Sequence, residues 1–333
     1  MEQTTTTEGD AQPFAPRIDL AGLETAVQRV RAEIGKIIVG QHEMLELLVA
    51  AILADGHVLI EGVPGIAKTL TAKLLARTLS IDFSRIQFTP DLMPSDILGT
   101  SIFNMKTSEF EFRRGPIFSN FILIDEINRA PAKTQSALFE VMEERQVTVD
   151  GATWPMAFPY VVVATQNPIE QEGTYRLPEA QLDRFLFKIT IDYPSLDEEV
   201  AILEGHHARG GVLDLEVVEA VLTPEQIASH RRSVGAVHVE PNLLRYVAQV
   251  IDQTRNNSSL SLGASPRASL AVISAAKAFA AMAGRDFVTP DDIKRAFVPV
   301  LQHRIVPTPE REMEGVSPAQ IVRSIVDRVE VPR

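Results

Sequence analysis

The stretch GVPGIAKT at 62–69 joins glycines to a lysine and a threonine, the residue types that hold a nucleotide's phosphates. Glycine permits positive φ and close backbone approach. Loop N–H groups and the start of a following helix supply positive potential. A Lys-Thr pair adds a point charge for the β- and γ-phosphates and a hydroxyl for Mg²⁺. The candidate phosphate loop is therefore Gly62, Val63, Pro64, Gly65, Ile66, Ala67, Lys68 and Thr69. One position departs from G-x-x-x-x-G-K-[ST]: Ala67 stands where the last glycine belongs. At the start of a helix it can take a negative φ, with its methyl turned away from the phosphates. A strand-to-helix turn without a ligand is the plain alternative.

Other runs carry matching chemistry. FILIDEINRA (121–130) leads four apolar residues into Asp125 and Glu126. Open parallel sheets bind ligands at the carboxyl ends of their strands. There Asp125 could hold Mg²⁺ and Glu126 could polarise an attacking water; a solvated acidic turn would look the same. VVVATQNP (161–168) ends in Gln166 and Asn167, amides able to donate and accept at once, although Asn-Pro also starts turns. In EAQLDRFLF (179–187) Arg184 follows Asp183. A guanidinium on the γ-phosphate aids phosphoryl transfer and can come from a neighbouring subunit, whereas a local ion network would use the same pair. Arg267 sits in a helix start, Ser265-Pro266-Arg267-Ala268, where the dipole disfavours a cation by about 0.3–1 kcal/mol. Such a broken local rule invites a functional reading, and Arg267 could reach the γ-phosphate of its own chain.

These residues need a scaffold, and the periodicity supplies one. Helical patterns cover 22–35, 41–54, 68–79 and 131–145, and apolar strand runs cover 57–62, 85–89, 120–125, 160–165 and 186–191. Strands of this kind alternating with helices predict a parallel sheet covered on both faces. After DYPS (192–195) the chain turns Ala-, Val- and Leu-rich at helical spacing. Four starts share a hydroxyl cap with an acid or amide three residues on: Ser195 with Glu198, Thr223 with Gln226, Thr289 with Asp292, Ser317 with Gln320. The expected organisation is a disordered tail at 1–17, a nucleotide-binding domain at 18–194 and a helical lid at 195–333. Asp150-Gly151 signals a tight hairpin near 146–158, with Trp154, the single tryptophan, expected to anchor it in the core.

The 333 residues are 45% hydrophobic and 23% charged, with a net charge of -12 and no cysteine. Disulfides and thiolate chemistry are excluded, and the acidic balance argues against a nucleic-acid partner. The Thr-rich start has no secretory pattern, and no apolar run approaches the ~20 residues of a membrane span. A cytoplasmic protein is expected. His206 and His207, adjacent on a helix, point apart and do not suggest a metal pair.

In order, EGVPGIAKT, DEINRAPAKTQSALFEVMEERQVTVDG, ATQNPIEQEGTYRLPEAQLDRFLFKI, SPRASL and DFVTPDDIKRAFVPVLQHRI resemble the MoxR family of AAA+ ATPases, a helix-2-insert group related to the magnesium chelatase motor subunit. That family's loop commonly carries alanine at the place of Ala67. The resemblance implies a P-loop three-layer αβα fold, with a five-stranded parallel sheet of order 5-1-4-3-2 and an all-α lid. It implies Walker A roles for Lys68 and Thr69, Walker B roles for Asp125 and Glu126, sensor 1 for Asn167, a trans arginine finger for Arg184 and sensor 2 for Arg267. IIVGQ (37–41), with Val39 and Gln41, would line the adenine, and Arg129 would be a further interface arginine. The hairpins at 99–118 and 146–158 would face the ring axis or substrate, although ordinary edge hairpins fit equally.

What the resemblance further implies is an ATPase using ATP and Mg²⁺, assembled as a ring, usually a hexamer. It would remodel or mature a partner complex alongside a protein with a von Willebrand factor A domain. A chelatase-type motor for metal insertion and a nucleotide-controlled scaffold with little turnover are the alternatives; Glu126 argues against the scaffold.

Overall fold

The computed structural model describes residues 18–63, 65–167, 175, 177–212 and 214–332; the expected tail at 1–17, Pro64 of the loop and the motif stretch 168–174 lie outside them. Five strands, β1 (His57–Gly62), β2 (Phe83–Gln87), β3 (Phe121–Asp125), β4 (Val161–Gln166) and β5 (Phe185–Ile191), form one sheet in which every pairing is parallel. Their spatial order is β2-β3-β4-β1-β5, which is 5-1-4-3-2 from the other edge. This is the P-loop topology that the resemblance implies.

Alternation within the apolar runs decides which helices cover which face. Val58, Ile60, Leu123 and Val163 pack with the helices Ala21–Gly35, His42–Leu53 and Lys68–Thr78. Leu59, Ile122, Ile124 and Val162 pack instead with Leu138, Phe139 and Met142 of the helix Ala132–Glu144. Each fully buried aliphatic or aromatic side chain stabilises by about 1.5–3 kcal/mol, and all five residues of β3 are buried. β2 lies two residues earlier than the run at 85–89 suggests. Phe88 is fully buried, but it has already left the strand, and its N–H donates to the Asp125 carbonyl at 2.9 Å.

Beyond β5 the chain is helical: Leu196–Ala208, Pro224–Ala236, Pro241–Arg255, Pro266–Met282, Pro290–Leu301, Pro309–Met313 and Pro318–Arg328, with one short antiparallel pair, Leu260–Leu262 against Val306–Pro307. Ser195, Thr223, Thr289 and Ser317 each form the expected capping box. Ser265 does not cap; its hydroxyl donates to Asp183 Oδ2 at 3.1 Å. The lid is tied to the sheet by stacking of Phe279 on Phe187, centroids 6.1 Å apart, and by buried Arg304. That guanidinium donates to Asp183 Oδ1 at 2.7 Å and to the carbonyls of Asp183, Phe185 and Leu186 at 3.0, 2.6 and 3.1 Å. A buried charge is tolerated only with this kind of saturation.

Two hairpins stand off the sheet, Gly99–Asn104 with Glu109–Arg114 and Gln146–Val149 with Ala152–Pro155. Asp150 and Gly151 have φ of 51° and 78°, the doubly left-handed turn that matches strand twist. Trp154 does not enter the core as expected. It stacks on Phe112 of the other hairpin, centroids 5.3 Å apart, and the Ser101 hydroxyl bonds the Asp150 carboxylate, so the two hairpins form one unit. The exposed Met105 and Phe110 belong to the first hairpin's distal half. Among the described residues no helix is long and apolar enough to cross a membrane.

His57 opens β1 fully buried, with Nδ1 accepting the Val162 N–H at 3.0 Å and Nε2 donating to the Met142 carbonyl at 3.2 Å. Burial first, then Arg145, lowers its pKa from 6.5 to about 3. Burial likewise pushes His303 well below 6.5. Such groups bind fewer protons folded than unfolded. Their stabilisation is therefore complete above about pH 6.5 and is lost as pH falls below it, for His57 toward pH 3. Thermal unfolding should show a lower midpoint at pH 5 than at pH 7.5, and His57→Gln should flatten that slope; an unchanged slope would exclude His57 as its source.

Candidate active site at the carboxyl edge of the sheet

β1 leads through Gly62 into the loop and the helix Lys68–Thr78, β3 ends at Asp125, and β4 ends at Gln166. Because β1 pairs with β4 and β4 with β3 in parallel, these three ends open on one edge. Lys68, Thr69, Asp125, Glu126, Gln166 and Asn167 line a single pocket of about 170 Å³ there, with Gly65, Thr165, Arg85 and Gln87.

The loop's glycines serve different needs. A Cβ on Gly62 would fall 2.7 Å from the Ile191 carbonyl, so the close approach of β5 demands glycine there. Gly65 has open space around it but a φ of +87°. The expectation of a negative φ at Ala67 fails: φ is 57°, left-handed, at the helix N-cap. For an L-residue this costs about 1–2 kcal/mol, strain of a kind that gathers at ligand sites. Gln41 braces the loop. Its amide donates to the Ile66 carbonyl and accepts from Thr71 Oγ1 at 3.1 Å, tying the loop to the following helix.

Half-buried Lys68 donates from Nζ to the Gly62 carbonyl at 2.8 Å. Burial lowers its pKa, while Asp125 and Glu126 pull it the other way. Asp125 is buried; Oδ2 accepts from Arg85 Nε at 2.6 Å and Oδ1 from Thr165 Oγ1 at 3.3 Å. The Thr165 hydroxyl also accepts the Glu126 N–H at 3.1 Å, fixing a backbone with φ of 58°. The Glu126 carboxylate accepts from Gln87 Nε2 at 2.8 Å and pairs with Arg129 Nε at 3.2 Å. Arg129 thus engages its own chain's glutamate. Mg²⁺ typically takes one or two protein oxygens beside substrate phosphates and waters, and Asp125 with Thr69 on one pocket wall meets that donor set.

Arg85 and Gln87 are absent from the sequence reading. Their signal was two polar residues spaced by two in a strand otherwise read as buried, which places both on one face. A second pocket of about 690 Å³ adjoins the loop, lined by Val39, Gln41, Ile66, Leu70, Ile191, Tyr193, Ile202 and His206 among others. Gly65 belongs to both pockets, so the loop stands between a largely apolar chamber and a polar one.

Residues 57–187 match the family "ATPase family associated with various cellular activities (AAA)", and residues 252–325 match the AAA lid domain. The chain is 44% identical to Chaperone MoxR1 of Mycobacterium tuberculosis, over 94% of this chain and 84% of that one. The chain belongs to the MoxR family of AAA+ ATPases. Protein MoxR of Paracoccus denitrificans is 30% identical, over 87% of this chain and 92% of that one. The crystal structure of an inferred ATPase from Cytophaga hutchinsonii matches with a TM-score of 0.88 at 41% identity, covering 94% of this chain and 97% of that one.

Arg184 and Arg267 of this MoxR-family chain lie outside both pockets. Arg184, at the opposite end of β5 from Ile191, donates to the Phe139 carbonyl, with Nε 3.9 Å from Glu143 Oε2. Arg267 Nη2 meets Glu143 Oε1 at 3.1 Å. Here Arg267 is therefore grouped with Arg184 on Glu143 rather than at the phosphate pocket.

Replacing Gln41 by Ala removes both ties on the loop. A titration with ADP should show roughly tenfold weaker binding, two hydrogen bonds at about 0.5–1.5 kcal/mol each, with the unfolding midpoint nearly unchanged. Unaltered affinity would deny Gln41 any part in shaping the loop.

Proposed function

We propose that this protein binds Mg²⁺ and ATP at the carboxyl edge of the sheet and hydrolyses ATP within a ring, usually a hexamer in this family, to remodel or mature a partner protein complex. The observation that carries the reading is a division of residues. Lys68, Thr69, Asp125, Glu126 and Asn167 share one pocket, while Arg184 and Arg267 share Glu143 outside it. In this reading the site is completed by a neighbour's Arg184, with Arg267 left to reach the phosphates by a movement of the lid.

In this reading the apolar chamber with Val39 and Gln41 takes the adenine. The loop from Gly62 to Thr69 wraps the phosphates. Lys68 balances their charge, and Asp125 and Thr69 would hold the metal, which would supply further neutralisation of the phosphates' negative charge. Glu126 takes the proton of the attacking water, Asn167 orients it, and Arg184 of a neighbouring chain steadies the transferring group. The names of the relatives support a chaperone role, and the family resemblance supports a von Willebrand factor A-domain partner; the acidic charge disfavours nucleic acid. One observation favours the scaffold reading as an alternative: Glu126 accepts from Gln87 and pairs with Arg129, both at Oε2, and this charge-assisted engagement weakens it as a base.

The ATPase rate per chain should climb with protein concentration and then level off. Glu126→Gln should keep ATP affinity and lose at least about a hundredfold in rate. Arg184→Ala and Lys68→Ala, each inactive alone, should regain activity when mixed, because a mixed interface restores one whole site. Absence of any rescue on mixing, with assembly intact, would place Arg184 outside the neighbour's site.

A further inference from the structure

The metal carboxylate has a resident cation that the nucleotide-site reading does not use. Arg85 lies on the edge strand β2, two residues before Gln87, and its Nε meets Asp125 Oδ2 at 2.6 Å. The other Asp125 oxygen accepts from Thr165. Each oxygen of this buried carboxylate thus already accepts one hydrogen bond and keeps a second lone-pair site. A metal ion on Oδ2 would nonetheless sit beside the guanidinium, and the repulsion between the two favours the departure of one. The Thr165 hydroxyl is buried and also holds Glu126, whereas the Arg85 side chain is 53% exposed. Arg85 is the donor that can leave, because its charge moves into water rather than into a dry interior.

The local charge points the same way. Lys68, Arg85 and Arg129 face Asp125 and Glu126, three cations against two carboxylates. A bare dication meets a net positive site. A nucleotide's phosphates reverse that sign, and metal then becomes favourable.

We propose that Arg85 is a built-in competitor for the metal: paired with Asp125, it keeps divalent cations off the carboxylate until nucleotide phosphates accompany them. The proposal rests on the nucleotide-site reading above. Arg85 acts through Asp125 and is a positioning residue.

A fluorescent ADP analogue titrated into the full-length chain, once with Mg²⁺ and once with EDTA, measures how strongly metal enhances nucleotide binding. Arg85→Ala should raise that enhancement about tenfold, the scale of one partly exposed charge-assisted hydrogen bond, while affinity in EDTA, with one pocket cation lost, falls by clearly less than that. Arg85→Lys, keeping the charge, should stay near the wild type. Mn²⁺ alone, followed by electron paramagnetic resonance, should bind Arg85→Ala and not the wild type. An enhancement equal to the wild type's, or no Mn²⁺ binding to Arg85→Ala, overturns the proposal. Weaker binding with both Mg²⁺ and EDTA overturns it too, by making Arg85 a phosphate ligand. Lys68→Ala separates this from the underlying reading: if the wild type binds no nucleotide, or Lys68→Ala binds as well as the wild type, the nucleotide site itself falls and Arg85's role with it.

Discussion

β3 is a strand buried along its whole length that ends in a charge, and the site is arranged around that constraint. Phe121, Ile122, Leu123 and Ile124 are fully enclosed between the two helical layers, so the position of Asp125 is set by core packing rather than by a loop. A carboxylate there must be satisfied or it costs several kcal/mol. Arg85 from β2 and Thr165 from β4, the two strands flanking β3, supply its hydrogen bonds. The same Thr165 pins the left-handed backbone of Glu126. Parallel pairing then brings the phosphate loop after β1 to the same edge.

Among the contacts by which the lid meets this core are two carboxylates that are not at the site. Asp183 accepts from Arg304 and from Ser265, and Glu143 meets both Arg184 and Arg267. This resolves the anomalous helix start at Ser265. The hydroxyl that would cap the helix is spent on Asp183, and the cation in the first turn has its counter-charge in Glu143. What looks like a broken rule within four residues is satisfied by partners more than eighty positions away.

Much of the architecture was legible because it rests on local patterns. The strands at 57–62, 120–125, 160–165 and 186–191 and the four capping boxes appear within a residue of where spacing places them. Departures arise where a tertiary contact overrides a local cue. Phe88 reads as strand because it is apolar, yet it is buried just after the strand's end. Ala67 takes a conformation unusual for alanine because Gln41 and the helix hold the loop around it. Trp154 finds its ring partner across two hairpins joined only in space. Arg85 and Gln87 were hidden because a half-polar edge strand was read as fully buried; the register places Gln87 opposite Asp125, a pairing that no spacing within the strand reveals.

One feature of β5 links the two ends of the molecule's chemistry. Its first residue follows Arg184, and the carbonyl of its last, Ile191, presses against Gly62 at the root of the phosphate loop. Seven hydrogen-bonded residues, roughly 20 Å of pleated chain, therefore connect the arginine proposed for a neighbour's site with the loop proposed to hold the chain's own nucleotide. A strand braced along β1 by parallel hydrogen bonds resists stretching and bending far more than a loop does. In a ring of the kind proposed, each protomer would carry a stiff strut from its own site to the adjacent one, and a shift at either end would be felt at the other without passing through the lid.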